Sequence, residues 1–317
     1  MDYTRANAKD HAKATMRGIW AAAYMPFTDG HAIDEDGFRS NVEHWTKDLG
    51  IEGIFVSGKR GEFFSMSVEE RKRSFELAVE ATGDRGQTIM SCSDQNMDVV
   101  IDLARHAEAV GADYIVVHAP ALHFFKEHDE TLLGYYRTVS EAVDIGIALW
   151  SHPASGYLMS PQLCNQLADL DNVVAIKYSV PRELYGELTE LASDRIHVST
   201  ASEEEWLDNI IDLSWQLYLC SAPPFLLQTA KDRRMHDYTQ AAFAGRFDEA
   251  RKISASLEPV RQALATSKPP EKPHAHDKHW QELLGQVGGS VRPPLRELTE
   301  AEKAVTRQAF EQCGLEL

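Results

Sequence analysis

The chain has 317 residues, of which 43% are hydrophobic and 26% charged, and its formal net charge is −17. This length can bury a large core, either as two average domains or as one α/β barrel of about 250 residues with an extension. The acidic balance argues against a nucleic-acid partner, because phosphate binding needs a basic surface, although a few local cations can still recruit a small anionic substrate.

The sequence shows no sign of a membrane or secretory segment. The longest apolar runs, such as residues 145–150, are far shorter than the roughly 20 residues of a membrane span, and residues 1–16 are polar and mixed in charge. The four cysteines are widely spaced and form no CxxC pair, which argues against a disulfide framework or a structural zinc site. We therefore expect a cytoplasmic protein with no membrane partner.

Short β-type runs alternate with segments of helical periodicity over the first two thirds of the chain. The predicted strands are residues 19–24, 53–56, 88–91, 114–117, 147–150, 173–177, 196–200 and 217–220. The clearest predicted helices between them are residues 38–49, 68–82, 99–110, 132–143, 161–167 and 183–192. Alternation implies parallel strands joined by right-handed crossovers, and eight such units fit an α/β fold of the (β/α)₈ TIM-barrel type better than an open sheet.

The strand signal stops after about residue 225, and only helical segments follow. These predicted helices are residues 238–244, 247–266, 277–284 and 299–313, and the proline-rich stretch 267–273 is a linker by composition. We predict that residues 1–224 form the barrel with a short N-terminal extension. Residues 225–317 would then form a C-terminal helical region packed on the barrel.

Side chains at the carboxyl ends of the strands surround the active site in a TIM barrel. Among them, Lys177 ends a nearly all-apolar strand, and lysine is rarely buried without a partner or a task. Burial favours the neutral amine, which is a nucleophile toward carbonyl groups. The alternative is a lysine that reaches solvent from the end of its strand, and position alone does not separate the two.

Several motifs resemble those of a known enzyme family. Gly58-Lys-Arg-Gly-Glu62 is followed by Ser65-Met-Ser-Val-Glu-Glu-Arg71, and further similarity runs through Ala175-Ile-Lys177 to Arg292-Pro-Pro-Leu295. In this order they resemble the dihydrodipicolinate synthase / N-acetylneuraminate lyase family, whose hallmark is Gly-Thr-Thr-Gly-Glu before a helix that opens Leu-Thr-x-Glu-Glu-Arg. The likeness covers roughly residues 17 to 310.

This resemblance implies a lyase in which Lys177 forms a Schiff base with pyruvate or another 2-oxo acid. Aldol cleavage or addition, or hydratase-aldolase chemistry, would follow from the iminium, so that no metal or other cofactor is needed. The resemblance also implies a small 2-oxo acid as the substrate and a homo-oligomer, either a tetramer or a dimer.

The first departure from the family pattern lies in the motif after strand 2. Lys59 and Arg60 replace two threonines that bind the substrate carboxylate in the family. Two cations at this position could bind an acid group strongly. Alternatively, both cations turn outward or pair with acids such as Glu62. The predicted substrate-binding residues are Ser57, Gly58, Lys59, Arg60, His118 and Ser221.

The second departure lies on strand 5, where the family's Tyr-Asn-x-Pro is replaced by Trp150-Ser-His-Pro153. The family's tyrosine relays protons, whereas tryptophan has only an indole N–H and cannot do acid–base work. His152 is the first candidate for the relay because the pKa of imidazole is near neutrality. Other candidates are His118, Tyr157 and Tyr178. The predicted catalytic residues are Lys177, His152 and Trp150.

Two further features add expectations. Phe124 or Phe125 stands where the family places a tyrosine that reaches the neighbouring subunit's site, which suggests a more apolar pocket unless these rings belong to ordinary core packing. The run His274-Ala-His276-Asp-Lys-His279 resembles a metal cluster, but it lacks a second ligand set at a suitable spacing, and we expect no metal there.

Three other functions remain open or are disfavoured. A dehydratase of a deoxy-keto sugar acid is the closest enzymatic alternative to an aldolase. A catalytically degenerate barrel that binds an anionic metabolite is a second alternative, which the loss of the tyrosine supports and the retained lysine opposes. We do not expect the lysine-biosynthetic synthase itself, because both threonines and the tyrosine are missing.

Overall fold

A computed structural model describes residues 2–121, 128–155 and 157–317. Over these residues it has eight strands, each within two residues of its predicted ends. The strands are β1 (Gly18–Ala22), β2 (Gly53–Val56), β3 (Gln87–Ser91), β4 (Tyr114–His118), β5 (Gly146–Ser151), β6 (Val173–Tyr178), β7 (His197–Ser199) and β8 (Leu217–Ser221). They form one sheet in the order β7-β6-β5-β4-β3-β2-β1-β8.

Helices separate the strands and then continue alone to the end of the chain. They are α1 (Ala8–Thr15), α2 (Glu35–Lys47), α3 (Val68–Thr82), α4 (Met97–Ala109), α5 (His128–Ala142), α6 (Pro161–Leu167), α7 (Tyr185–Ala192), α8 (Trp206–Leu213), α9 (Pro223–Leu226), α10 (Arg234–Phe243), α11 (Phe247–Ser256), α12 (Glu258–Thr266), α13 (Pro273–Leu283) and α14 (Glu300–Gln312). This is the (β/α)₈ TIM barrel with C-terminal helices that the sequence predicts.

The local signals in the sequence act as expected at three helix starts. Ser67 caps α3 and Thr299 caps α14, each in a reciprocal capping box, and Ser160 caps α6 just before Pro161, its first residue.

Strands β4 to β6 pair in parallel, and every residue of β5 and β6 is buried. Burial on both faces explains why these strands are continuous apolar runs instead of alternating ones.

Some helices differ from the prediction for identifiable reasons. The segment predicted as one helix over residues 247–266 is two, α11 and α12, with Pro259 in the first turn of the second. Proline lacks the N–H that would continue the first helix, but it is tolerated in a first turn. Helices α1, α8 and α9 are not among the predicted helices, and α10 and α13 each begin four residues earlier than predicted, with Pro273 as the first residue of α13.

The chain divides into two compact units: Met1–Gly18 with Gln87–Cys220, and Ile19–Gly86 with Ser221–Leu317. The core of the second unit includes Trp45, whose ring stacks on Phe225 with centroids 4.3 Å apart and whose Nε1 donates to Gln286. The boundary after residue 224 that the sequence suggests stays a prediction. In the described parts of the chain, no helix combines the length and apolar character needed to cross a membrane.

Candidate active site

Lys177 lies near the carboxyl end of β6 in the first unit and is only 5% exposed. Its Nζ donates to the carbonyl oxygen of Cys220 at 2.6 Å and lies 4.4 Å from the centroid of the Trp150 ring. The β5–β6 register pairs Trp150 with Lys177 directly. The amine is therefore buried against an aromatic face and does not extend into solvent.

Two histidines join Trp150 in an aromatic cluster of the first unit. The His118 ring lies edge-on to Trp150 with centroids 4.9 Å apart, and His152 lies 5.7 Å from Trp150 and 6.1 Å from His118. Strand β5 ends before His152, whose Nδ1 accepts a hydrogen bond from the backbone N–H of Ala154 at 3.0 Å. When neutral, this imidazole therefore carries its proton on Nε2.

The tyrosines considered for proton relay have other partners. Tyr178 donates its hydroxyl to the carbonyl of Met159 at 2.9 Å, and Tyr157 donates to Asp129. Burial raises the pKa of both phenols well above the usual value, and the Asp129 carboxylate adds to the effect on Tyr157. Because of this raised pKa, neither hydroxyl readily gives up its proton near neutral pH. Tyr178 also follows Lys177 directly, so that the two side chains leave opposite faces of β6.

In the second unit, the motif after β2 forms a tight loop with unusual backbone geometry. Ser57 and Glu62 both have left-handed φ angles, 54° and 56°, a conformation uncommon for residues other than glycine. Gly58 is required for space, because a Cβ there would lie 2.4 Å from the Phe55 ring. The Ser57 hydroxyl is fully buried and lies 2.6 Å from the Ser74 hydroxyl. Its side chain thus ties the loop to α3.

Arg60 and Lys59 of this loop both contact helix α13, Arg60 through its guanidinium and Lys59 through its backbone carbonyl, and Arg60 also contacts the segment after β1. Arg60 Nη1 donates to Tyr24 Oη at 2.7 Å and lies 3.2 Å from the buried Asp277 carboxylate. The carbonyl oxygen of Lys59 accepts from His274 Nε2 at 2.8 Å. Burial lowers the pKa of His274, despite the bond to Lys59, so the ring is neutral at pH 7.

Glu62, which the sequence offered as a partner for the loop cations, is paired elsewhere. Its carboxylate lies 2.7 Å from Lys278 Nζ and accepts from the backbone N–H of Arg292 at 2.9 Å. Glu62 and Lys278 are at most 1% exposed. Arg292 in turn forms an ion pair with Glu70, at the start of α3. The Gly58–Glu62 motif and the Arg292-Pro-Pro motif are therefore joined within one unit.

Sequence reasoning missed several residues that build this loop. Tyr24 had no assigned chemistry, and Asp277 and Lys278 lie in a segment noted only for its histidines. The available signal was weak: a run of ionisable residues just after a proline-rich linker. The sequence of that run does not indicate that its side chains contact residues more than 200 positions away.

The remaining predicted site residues fall into three groups. Ser221 ends β8 and is partly exposed. Phe124 and Phe125 lie outside the described residues. The histidines of the 274–279 run contact Lys59, Asp277 and Glu282. Across the residues that the structure describes, no group of three His, Cys, Asp or Glu side chains is arranged to hold a metal ion.

The first unit therefore brings Lys177, Trp150, His118 and His152 together, and the second contains the loop with Ser57, Gly58, Lys59 and Arg60. The first set offers a buried amine beside aromatic and imidazole groups. The second offers a guanidinium held by a buried carboxylate.

Comparisons with known proteins give a consistent result. Residues 15–313 match the model of the dihydrodipicolinate synthetase family. The 4-hydroxy-tetrahydrodipicolinate synthase of Pelobacter propionicus is 28% identical over 305 residues, which covers 94% of this chain and 99% of the relative. That of Methanothrix thermoacetophila is 29% identical over 298 residues, covering 93% and 96%.

Solved structures agree with this match. A crystal structure of a dihydrodipicolinate synthase is 26% identical, with a TM-score of 0.81 and coverage of 95% of this chain and 100% of that one. An N-acetylneuraminate lyase from Fusobacterium nucleatum has a TM-score of 0.84 at 19% identity, covering 95% and 99%, and therefore shows a shared fold.

Proposed function

The chain belongs to the dihydrodipicolinate synthetase family, and from that membership we propose that Lys177 forms a Schiff base with a 2-oxo acid of the pyruvate type. The enzyme class, a lyase, follows from the family. The proposal adds the covalent intermediate and the kind of substrate. We favour aldol cleavage or addition, or hydratase-aldolase chemistry.

The observation that carries the proposal is the burial of Lys177 on an apolar strand. The Lys177 side chain is 5% exposed, with its Nζ 2.6 Å from the carbonyl oxygen of Cys220 and 4.4 Å from the centroid of the Trp150 ring, so protein groups of the first unit enclose the amine. Burial of a lysine favours the neutral, nucleophilic amine over the ammonium. Its place on strand 6 also agrees with the family motif Ala175-Ile-Lys177.

The proposed reaction begins when the neutral amine adds to the C2 carbonyl carbon. The former carbonyl oxygen leaves as water, which gives a cationic iminium. In an aldol cleavage, a base then removes the proton of the C4 hydroxyl, and the freed electron pair forms the carbonyl of the departing aldehyde. At the same time the C3–C4 bond breaks, and its electron pair moves into the iminium to form an enamine. Protonation of the enamine at C3 and hydrolysis release the 2-oxo acid and restore Lys177.

Other residues take supporting roles in this proposal. Arg60 and Lys59 bind the acid group together with backbone amides near Ser221. Ser57 and Gly58 shape the loop that carries the cations. His152 and His118 are the proposed proton carriers in place of the family's tyrosine.

Lys177→Met tests the proposal, because methionine has similar length and no amine. Incubation with pyruvate and borohydride should raise the mass of the wild-type protein by one reduced pyruvate adduct, and peptide mapping should locate the adduct on Lys177. Lys177→Met should stay unmodified while remaining folded by circular dichroism. A panel of 2-oxo acids that leaves the wild-type mass unchanged would rule out the Schiff base.

Product analysis separates the two lyase reactions. Aldol cleavage releases an aldehyde and pyruvate, whereas dehydration of a deoxy-keto sugar acid leaves a single product that has lost one water molecule.

We also propose a homo-oligomer, a tetramer or a dimer, as the family resemblance implies. Light scattering on the purified protein gives its mass in solution, and a mass near that of one 35.5 kDa chain would contradict this part.

A further inference from the structure

Three cations follow one another at a regular spacing near the N-terminus, in the first unit. Arg5, Lys9 and Lys13 are each four residues apart, a spacing that places side chains on the same face of a helix. Ala8 and Ala12 of α1 are fully buried, whereas the three cations are partly exposed. Helix α1 therefore packs against the unit through its alanines and leaves its longer charged side chains at the margin of this contact.

Each of these cations donates hydrogen bonds to backbone carbonyls at the carboxyl end of a different helix. The pairs are Arg5 with Ser140 in the last turn of α5, Lys9 with Ala168 directly after α6, and Lys13 with Ser193 directly after α7. The distance from Lys9 Nζ to its acceptor is 2.6 Å. Arg5 also donates to the carbonyl of Val143 at 3.3 Å, and Lys13 to that of Ile196 at 3.4 Å. The contacts thus repeat along α1, with one helix for each cation.

The three helices lack a cation of their own at these ends. The last carbonyls of a helix have no donors within the helix, and its carboxyl end carries a partial negative charge that a nearby cation stabilises. Helices α2 and α4 have basic residues in the last turn, but α5, α6 and α7 have none. The segment with α1 therefore supplies, from another part of the chain, the charge that these helices do not contain.

We propose that residues 3–15 act as a strap, in which each cation holds the carboxyl end of one helix in place. The strap also contacts the start of a strand, because Tyr3 Oη accepts a hydrogen bond from the backbone N–H of Gly146, the first residue of β5, at 2.8 Å. Strand β5 carries Trp150, and Lys177 lies beside it on β6. The strap thus stabilises the part of the first unit that contains these two side chains, and this role does not depend on the proposed reaction.

Hydrogen exchange of the full-length protein, followed by mass spectrometry, tests the strap helix by helix. Arg5→Met, Lys9→Met and Lys13→Met each remove one charge and keep an unbranched apolar side chain. We expect each substitution to speed backbone exchange about fivefold at the carboxyl end of its own helix, because this end frays locally once its cation is lost. The other two helix ends should keep the wild-type rate. The three segments to compare are residues 139–143, 164–168 and 189–193.

Two controls accompany these variants. Arg137 is an exposed cation of α5 that lies before the last turn, so Arg137→Met should leave all three segments at the wild-type rate. The carboxyl end of α4 contains its own His106 and serves as an internal reference, which no strap variant should change. Circular dichroism confirms that each variant is folded.

Either of two outcomes would overturn the strap. In the first, none of the three substitutions changes exchange at its own helix beyond the effect of Arg137→Met. In the second, a single substitution speeds exchange at all three helix ends and at the end of α4 alike, which would show that the cations only add to the overall stability of the unit.

Discussion

At the scale of single residues, the pairing of Lys177 with Trp150 distinguishes this chain from the family pattern. The indole face lies 4.4 Å from Nζ, at a place where the family has a tyrosine hydroxyl. An aromatic face stabilises a nearby cation, and the proposed reaction forms a cationic iminium at this nitrogen. We infer that Trp150 contributes electrostatics to the reaction, while proton transfer must come from another group.

Trp150→Leu tests this role by removing the aromatic face while keeping an apolar side chain. We expect the pyruvate concentration that half-saturates borohydride trapping to rise about fivefold, which corresponds to a cation–π contribution of about 1 kcal/mol. Trp215→Leu is the control, since Trp215 is a buried indole of the same unit that contacts Tyr185 and Thr189. Equal half-saturation in the wild type and Trp150→Leu would contradict the role.

At the scale of elements, the sequence predicts the strands well and the contacts of α13 poorly. Each strand is a local pattern of apolar residues between turn signals, so its ends can be read within two residues. The bonds from His274, Asp277 and Lys278 to the 59–62 loop join positions more than 200 residues apart. No periodicity encodes such a partnership, because it depends on tertiary packing.

The buried ion pair between Glu62 and Lys278 links α13 to that loop. Glu62→Gln leaves the Lys278 amine buried without its counter-charge, and we expect it to lower the free energy of unfolding by about 3 kcal/mol. The double variant Glu62→Gln/Lys278→Met should regain part of this loss. Urea denaturation measures both values.

An exposed ion pair provides the control for this experiment. Arg296 and Glu271 are 63% and 77% exposed, so Arg296→Gln should change the free energy of unfolding by less than about 1 kcal/mol. If Glu62→Gln is no more destabilising than Arg296→Gln, the buried pair does not secure α13.

At the scale of the whole molecule, the order of elements determined the fold class before any contact was known. Eight alternating strands and helices leave few topologies open, because crossovers between parallel strands are right-handed. The site was harder to predict. The barrel rule and the family motifs name Lys177, Trp150 and Arg60 as candidates, and their role in a site stays a prediction. Charge partners such as Asp277 and the orientation of His152 depend on side-chain packing that the sequence does not display.

The pH dependence of folding provides a whole-molecule prediction through His197. Burial lowers the pKa of this imidazole to about 4, and the nearby Lys13 adds to the shift, although the hydrogen bond to the Ala12 carbonyl at 3.0 Å opposes it. An unfolded histidine binds a proton below about pH 6.5, whereas the folded one stays neutral down to about pH 4. The unfolded state thus binds more protons in this window, and stability falls as the pH falls.

For this group alone, we expect the free energy of unfolding to decrease by about 2 kcal/mol between about pH 7 and about pH 5. Urea denaturation across this range should give a shallower slope for His197→Asn than for the wild type, since other titrating groups are common to both. Identical slopes would show that His197 is not held neutral in the folded protein.

The covalent role of Lys177 is tested most directly by a crystal structure of the protein after reaction with pyruvate and borohydride. The Schiff-base proposal predicts continuous electron density from Lys177 Nζ to C2 of the reduced pyruvate. Density that connects pyruvate to another residue, or an unmodified Lys177 after complete reaction, would contradict it.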